Sequence, residues 1–215
     1  KILCPDYEIL RWDESNFNFT QNDYAKEAYE RKKWAFVSDY ARLKVLYDYG
    51  GIYLDTDVRV VRSFDSFLHL PAFLSFERED SISTAVIGSV EGNKWIEELL
   101  KEYQNKKFIK SDSTLDITTN VVLISKKICL LYPVKMNNTY QVFKDVVLFP
   151  SDWFCCMDFI NHLVKTTGNT YAIHYGVASW FSPKQKLIRS VKQILGPRVS
   201  AIIGTILHSR RLDNE

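Results

Sequence analysis

The sequence predicts an α/β domain with a mostly parallel sheet. Short apolar runs alternate along the chain with segments whose apolar residues recur at helical spacing, a pattern typical of sheets covered by helices. The pair Gly50-Gly51 ends the longest helical segment, because glycine adopts the left-handed conformation that a helix C-terminus needs. A hydrophobic content of 46% with 14% aromatic residues supplies the core of one domain and argues against disorder.

The predicted elements follow one another in a regular order. The run "YEILRWD" predicts a strand, and "NDYAKEAYERKKWAFVSDYARLKVLYDY" predicts two helices. Strands are then predicted in "IYLDTDV", "AFLSFE" and "STAVIGSV", and helices in "NKWIEELLKEYQNKK" and "TTNVVLISKKI". The last predicted strands, in "VVLFPSDWFCCM" and "TYAIHYGVASW", each lead into a loop.

Composition argues against several classes of function. A net charge of +2 over 215 residues does not indicate a nucleic-acid partner. No run of about 18 apolar residues occurs, so the sequence predicts no membrane-spanning helix. The cysteines have no CxxC spacing, which predicts reduced thiols in a cytoplasmic protein rather than a zinc site or a disulfide framework. They are Cys4, Cys129, Cys155 and Cys156.

Two aspartates, Asp55 and Asp57, come one residue apart at the end of an apolar run. Carboxylates this close repel each other, and a bound Mg²⁺ or Mn²⁺ relieves that repulsion through oxygen ligands. Ligands of open α/β sheets bind beyond the carboxyl ends of strands, which is where the motif is expected. The alternative is a pair of solvated loop acids, since an isolated D-x-D pattern is common by chance.

Asp39 and Arg42 lie one helical turn apart on the preceding helix. As an exposed ion pair they would contribute only about 0.2–0.5 kcal/mol, and polar neighbours would then be expected. Their neighbours include Val37, Tyr40 and Leu43, which indicates a buried helix whose charged groups face a pocket.

The stretch "FVSDYARLKVLYDYGGIYLDTDV" closely resembles the D-x-D sugar-binding signature of the glycosyltransferases grouped as family 32. That family includes bacterial capsule and lipopolysaccharide sugar transferases and yeast mannosyltransferases, and the glucosylating domains of clostridial toxins are similar more distantly. The flanking segments "DYEILRWDESNF", "STAVIGSVEGNKWIEELLKEY", "VVLFPSDWF" and "YAIHYGVASW" also resemble family blocks. The resemblance implies a GT-A fold, which is a Rossmann-like sheet that binds a nucleotide-sugar and a divalent metal. Family members begin with a strand and a Trp-containing loop, so the first strand of that fold is expected to be missing here.

The resemblance implies a role for each residue of the central motif. Asp57 is the implied metal ligand, and Asp55 is implied near the ribose and donor-sugar hydroxyls. Tyr53 would line the nucleotide side. Asp39 and Arg42 would contact the donor sugar, with Arg42 also offsetting the charge of the leaving group through its fixed set of donors.

Four other residues, which come later in the sequence, match the family less closely. Asn120, in "TTN", resembles an asparagine that reaches the sugar in the family. The next residue departs from the family, because Val121 replaces its proline. The equal alternative is that Asn120 is a helix N-cap. His174 is implied as a further metal ligand, against the alternative of a core histidine. Ser179 and Trp180 resemble the Ser-Trp pair expected on the diphosphate, with plain core packing as the alternative for the indole.

The implied reaction is a metal-dependent, retaining transfer of a sugar from a UDP- or GDP-sugar to an acceptor hydroxyl. The expected setting is bacterial surface polysaccharide synthesis. The expected acceptor is a saccharide, and lipid-linked saccharides are among the candidates. No nucleophile stands out, which favours same-face attack, with positioning and electrostatics carrying the catalysis. Two alternatives remain open, a metal-dependent hydrolase of nucleotide-sugars and a non-catalytic sugar-binding remnant.

A boundary is predicted near Pro183, which divides the chain into a GT-A domain at 1–182 and a tail at 183–215. From Lys184 to Arg211 the tail carries basic residues without Asp or Glu, and apolar residues recur between them at helical spacing. Such a helix suits the anionic inner face of a membrane. The equal alternative is a terminal helix that packs on the domain with its charges in water.

Overall fold

The computed structural model describes residues 2–158 and 163–176. Within these ranges the helices are α1 Asp23–Glu30, α2 Trp34–Tyr49, α3 Lys94–Lys101, α4 Asn120–Leu131 and α5 Ser151–Phe154. The strands are β1 Gly51–Leu54, β2 Val58–Val60, β3 Ala72–Arg78, β4 Ser81–Ile82, β5 Val86–Ser89, β6 Gln141–Val142, β7 Val147–Phe149, β8 Met157–Asp158, β9 Leu163–Val164 and β10 Ala172–His174. Strands and helices alternate, which confirms the predicted α/β class.

The central sheet has six strands in the order β1-β5-β3-β7-β6, with β4 beside β3. Only β3 and β7 pair in parallel, and the other pairings of this sheet are antiparallel. The expected mostly parallel sheet is therefore corrected to a mixed one. The connections from β3 to β4 and from β4 to β5 are a few residues long, which suits hairpins, whereas parallel strands need a crossover of a dozen residues or more. Helices α3 and α4 lie within the long connection that separates the parallel pair β3 and β7 in the sequence.

Two hydrophobic clusters cover the sheet. Alternate residues of β3 divide between them, because successive side chains of a strand point to opposite faces. Leu74 and Phe76 pack in the larger cluster with α1, α2, α3 and α4. Phe73 packs in a smaller aromatic cluster with Phe64 and Phe154. The sheet edge that carries the D-x-D motif thus rests on a core on both sides.

Helix α2 ends where the sequence predicts. Gly50 is its C-cap with φ +66°, and Gly51 follows with φ +96°. A Cβ on Gly50 would lie 2.8 Å from the backbone nitrogen of Glu91, so both conformation and space require glycine there. The sharp turn sends β1 back along α2 and brings the D-x-D motif beside Asp39 and Arg42.

Two sequence predictions about local structure are wrong. The segment at 7–13 is not a strand; its backbone runs into a turn in which Asp13 accepts hydrogen bonds from Ser15, and Ile9 and Leu10 are exposed. The loop expected after β7 begins with the short helix α5. Within the described residues, no helix has the length and apolar character needed to cross a membrane. Ser179, Trp180 and the predicted tail at 183–215 lie outside the described residues.

Candidate functional site

The D-x-D motif forms the turn between β1 and β2. Strand β1 ends at Leu54, and the backbone N–H of Asp55 donates to the Ala85 carbonyl at 2.9 Å. The N–H of Val58 donates back to the Asp55 carbonyl at 3.0 Å, which closes the turn. The motif therefore lies at the carboxyl end of β1, as predicted, although the strand itself stops before the first aspartate.

His174 reaches this turn through a long-range strand pairing. Strand β10 runs antiparallel to β2, with His174 opposite Val58. The Nε2 atom of His174 lies 3.4 Å from Oδ1 of Asp57. One ligand atom from each of Asp55, Asp57 and His174 lies within 4.8 Å of the others. Two carboxylate oxygens and one imidazole nitrogen form a donor set that fits Mn²⁺.

Arg42 is buried beneath the turn and holds both neighbouring carboxylates. Its Nη2 lies 3.1 Å from Oδ1 of Asp39, and its Nη1 lies 3.3 Å from Oδ1 of Asp55. Nη1 also donates to the Thr84 carbonyl at 2.6 Å, and Nε and Nη2 contact the carbonyl and hydroxyl oxygens of Ser38. These five contacts equal the five N–H groups of a guanidinium. Arg42 is therefore placed to position Asp39 and Asp55, and its predicted contact with the donor sugar would require one of these contacts to be exchanged.

Asp39 is fixed from a second side by the start of α4. Its Oδ2 accepts from the backbone N–H of Asn120 at 3.0 Å, and its carbonyl accepts from Nδ2 of Asn120 at 2.7 Å. The hydroxyl of Tyr103 donates to Oδ1 of Asn120 at 2.6 Å. Asn120 is not the predicted N-cap, because that position belongs to Thr119. Its amide is used within the protein, and its contact with a sugar stays a prediction.

Tyr53 completes the layer under the turn. Its hydroxyl donates to Oδ1 of Asp55 at 2.8 Å, and the Arg42 guanidinium lies 4.8 Å from the centre of its ring. The ring thus supports both charged groups by a hydrogen bond and a cation–π contact. Burial raises the pKa of Tyr53, so the hydroxyl keeps its proton and remains a donor.

Burial raises the pKa of Asp39 to about 6, against the opposing effects of Arg42 and the Asn120 N–H. Between about pH 4 and 6 the folded protein then holds a proton on Asp39 that the unfolded chain releases. The contribution of Asp39 to the free energy of unfolding should therefore fall as pH rises through this window, by about 2–3 kcal/mol. Asp39→Asn removes this titration.

Urea unfolding of wild type and Asp39→Asn between pH 4.5 and 7.5 measures the change. The stability of wild type relative to the variant should decrease as pH rises from 4.5 to 6.5. Asp48→Asn, on the exposed side of α2, serves as the control and should show no such trend. A constant or oppositely sloped difference between wild type and Asp39→Asn contradicts the prediction.

These groups line a cavity of ≈ 660 Å³. Its lining combines the polar groups of this network with the apolar side chains of Trp34, Val121 and Val122. Trp34 is half exposed and rests edge-on against Tyr29, with ring centres 5.1 Å apart. A lining of apolar side chains with a few convergent polar groups is typical of a site that binds a small organic molecule.

The structure brings seven of the nine predicted site residues to this cavity or its wall: Asp39, Arg42, Tyr53, Asp55, Asp57, Asn120 and His174. The other two, Ser179 and Trp180, lie outside the described residues, and the individual roles of all nine stay predictions. Sequence reasoning missed Glu77, which also lines the cavity. The sequence does show that Glu77 ends a predicted strand, but nothing in the pattern indicated that its side chain points into the cavity.

Comparison with known proteins agrees with this geometry. Residues 1–74 match the family described as "Glycosyltransferase sugar-binding region containing DXD motif". Residues 1–74 are therefore similar to the sugar-binding region of DXD-containing glycosyltransferases. This confirms the predicted resemblance to DXD-containing glycosyltransferases, while the narrower assignment to family 32 stays a prediction.

Relatives of this glycosyltransferase region occur in fungi and in a virus. An inositol phosphoceramide mannosyltransferase of Schizosaccharomyces pombe is 35% identical over 103 residues, which cover 46% of this chain and 29% of the relative. A mannosyl phosphorylinositol ceramide synthase of Saccharomyces cerevisiae is 32% identical over 107 residues, 48% of this chain and 28% of the relative. An uncharacterized glycosyltransferase of Acanthamoeba polyphaga mimivirus is 24% identical over 185 residues, 83% of this chain and 72% of the relative.

The matched region thus spans less than a third of the length of each yeast relative. No solved structure matches the chain.

Proposed function

We propose that this glycosyltransferase region moves a hexosyl group from a nucleoside diphosphate sugar to an acceptor hydroxyl, with a divalent metal and with retention of configuration. The observation that carries the proposal is the placement of Asp55, Asp57 and His174 around one point in the lining of a cavity. Two carboxylates at the end of a strand, joined there by an imidazole, suit a metal that also holds phosphate oxygens. The cavity beside them has the volume for a sugar.

Asp57 and His174 would hold Mn²⁺ or Mg²⁺, with Asp55 as a third ligand or as the partner of donor hydroxyls. The bound ion would act as a Lewis acid on the leaving diphosphate. Mn²⁺ fits the donor set better than Mg²⁺, because imidazole nitrogen is a poorer ligand for the harder ion.

The protein's own groups supply positioning. Arg42 and Asn120 hold Asp39, and Arg42 and Tyr53 hold Asp55, so these carboxylates meet hydroxyl groups in fixed orientations. A rigid polar surface of this kind stabilises developing charge without rearranging during the reaction. We propose same-face attack rather than a covalent intermediate, since no nucleophile stands out in the sequence.

The acceptor is proposed from the relatives' names. Both yeast relatives are named for mannosyl transfer to an inositol phosphoceramide, and a hydroxyl on a lipid-linked headgroup is therefore the first acceptor to test. A saccharide acceptor in bacterial surface polysaccharide synthesis is the second. A location at the inner face of a membrane, with the tail at 183–215 as the contact, stays part of this proposal.

A panel of UDP- and GDP-hexoses tests the function. We expect one donor to bind with Mn²⁺ by calorimetry, to release nucleoside diphosphate and to glycosylate an inositol phosphoceramide or a simple glycoside. The anomeric configuration of the product, read by NMR, tests retention. Release of free sugar alone, with every acceptor present, would favour a hydrolase, and a donor that binds without turnover would favour a sugar-binding protein.

A further inference from the structure

Glu77 is a cavity carboxylate with no assigned part in the proposed reaction. It lies near the end of β3 and lines the same cavity as Arg42 and Asp57. Glu77 lies between Phe76 and Arg78, where the register of β3 on β4 shifts, and an irregularity of this kind re-aims a side chain, here into the cavity. A partly buried acid at such a position costs stability, and a function at the cavity accounts for that cost.

Glu77 lacks the cationic partner that a structural carboxylate usually has. Across the described residues it forms no ion pair, and the adjacent Arg78 pairs instead with Asp80 at 3.4 Å. Burial raises the pKa of Glu77, while Arg78 and the hydroxyl of Ser81 act in the opposite direction and Asp80 adds to the rise. The carboxylate therefore gains by accepting further hydrogen bonds from a ligand.

The position of Glu77 separates it from the metal side of the cavity. The N–H of Ser83 donates to the carbonyl of Ser75 on β3, and Ala85 accepts from the N–H of Asp55. The segment 83–85 thus lies between the end of β3 and the D-x-D turn. Two strand spacings, roughly 10 Å, therefore separate the backbones of β3 and the D-x-D turn, and the cavity of ≈ 660 Å³ that Asp57 and Glu77 both line has the volume for a sugar.

We propose that Glu77 binds the acceptor, with its carboxylate accepting hydrogen bonds from acceptor hydroxyls on the wall opposite the D-x-D turn. This inference rests on the proposed function, in which the diphosphate occupies the side of Asp57. An ionised carboxylate has only acceptor oxygens, about four lone-pair sites, and hydrogen bonds from hydroxyls to a charged oxygen are the strong kind. Glu77 is accordingly a substrate-binding residue that sets acceptor affinity.

The first test is binding without turnover. The full chain is titrated with methyl α-D-mannopyranoside, a hexoside without phosphate, and binding is followed by residue-resolved NMR. Glu77→Gln should weaken the hexoside affinity about tenfold, by loss of a charge-assisted hydrogen bond. Glu79→Gln is the matched control, because Glu79 is exposed in the adjoining turn and is not part of the cavity lining.

The second test is kinetic. Glu77→Gln should raise the acceptor KM about tenfold, with nucleotide-sugar affinity and acceptor-free donor hydrolysis unchanged. Thermal unfolding checks that the variant remains folded. Equal losses in donor hydrolysis and transfer would place Glu77 on the donor and overturn the inference. The inference is also overturned if wild type does not bind the hexoside, or if Glu77→Gln binds it as tightly as wild type does. If no nucleotide-sugar binds, the proposed function fails, and the hexoside titration still decides the role of Glu77.

Discussion

Asp57→Asn is expected to lower metal-dependent glycosyl transfer by about a thousandfold or more. The amide removes the charge that holds the metal, and the loss of Lewis-acid assistance to the leaving diphosphate raises the barrier by several kcal/mol, about 1.4 kcal/mol for each factor of ten. The substitution preserves size and leaves the backbone carbonyl that accepts from the Tyr175 N–H. It also removes one of two like charges in the turn, so the fold itself should not be destabilised.

Three measurements separate loss of metal from loss of fold. Transfer is assayed over a range of Mn²⁺ concentrations, Mn²⁺ binding is measured by calorimetry, and thermal unfolding is followed with and without Mn²⁺. Wild type should be stabilised by Mn²⁺ through mass action, and Asp57→Asn should not. Asp23→Asn, an exposed aspartate of α1 that pairs with Lys107, is the control and should behave as wild type. Activity of Asp57→Asn at ordinary Mn²⁺ concentrations would show that Asp57 is not the ligand.

Arg42→Met is expected to destabilise the fold by about 3–5 kcal/mol. The side chains of Arg42 and Asp39 are 5% and 9% exposed, and removal of one partner from a buried ion pair leaves an uncompensated charge. Asp55, its second carboxylate, loses the same cation. The Thr84 carbonyl also loses its donor. The cost should be smaller at pH 5 than at pH 7, because Asp39, whose pKa burial already raises, then takes up a proton.

Lys44→Met on the same helix is the matched control. Lys44 pairs with Asp48 at 2.6 Å, but these side chains are 27% and 33% exposed, and such a pair contributes under about 1 kcal/mol. Urea unfolding of both variants at pH 5 and pH 7 gives the comparison. Equal costs for the two substitutions, or a cost for Arg42→Met that grows on acidification, would contradict the buried network.

The unit from α2 to the D-x-D turn was predictable from sequence because its determinants are local. Apolar spacing indicates α2, and Gly50 ends it through a conformation that other residues rarely adopt. The apolar run after it becomes β1, whose length carries Asp55 to the end of the sheet. One helix, one turn and one strand therefore bring Asp39 and Asp55 together, and hydrogen bonds with Ala85 and Asn120 then fix them in place.

The strand directions and the metal site depended on contacts between distant parts of the chain. Alternation of strands and helices indicated a parallel sheet, but short connections around β4 make β3 pair antiparallel with β4 and β5. Strand β1 also pairs antiparallel with β5, which lies far from it in the sequence. The segment at 7–13 has the residue types of a strand but is not paired, because a run of suitable residues forms a strand only where a partner lies alongside.

The sequence by itself determined the helix–turn–strand unit and the residue types that suit a metal and a sugar. Tertiary structure alone decided three things: that His174 lies beside Asp57 through the register of β10 on β2, that five protein contacts occupy Arg42, and that Glu77 faces the cavity. The physical reason is that periodicity records which face of an element is buried, whereas strand pairing and packing decide what that face meets.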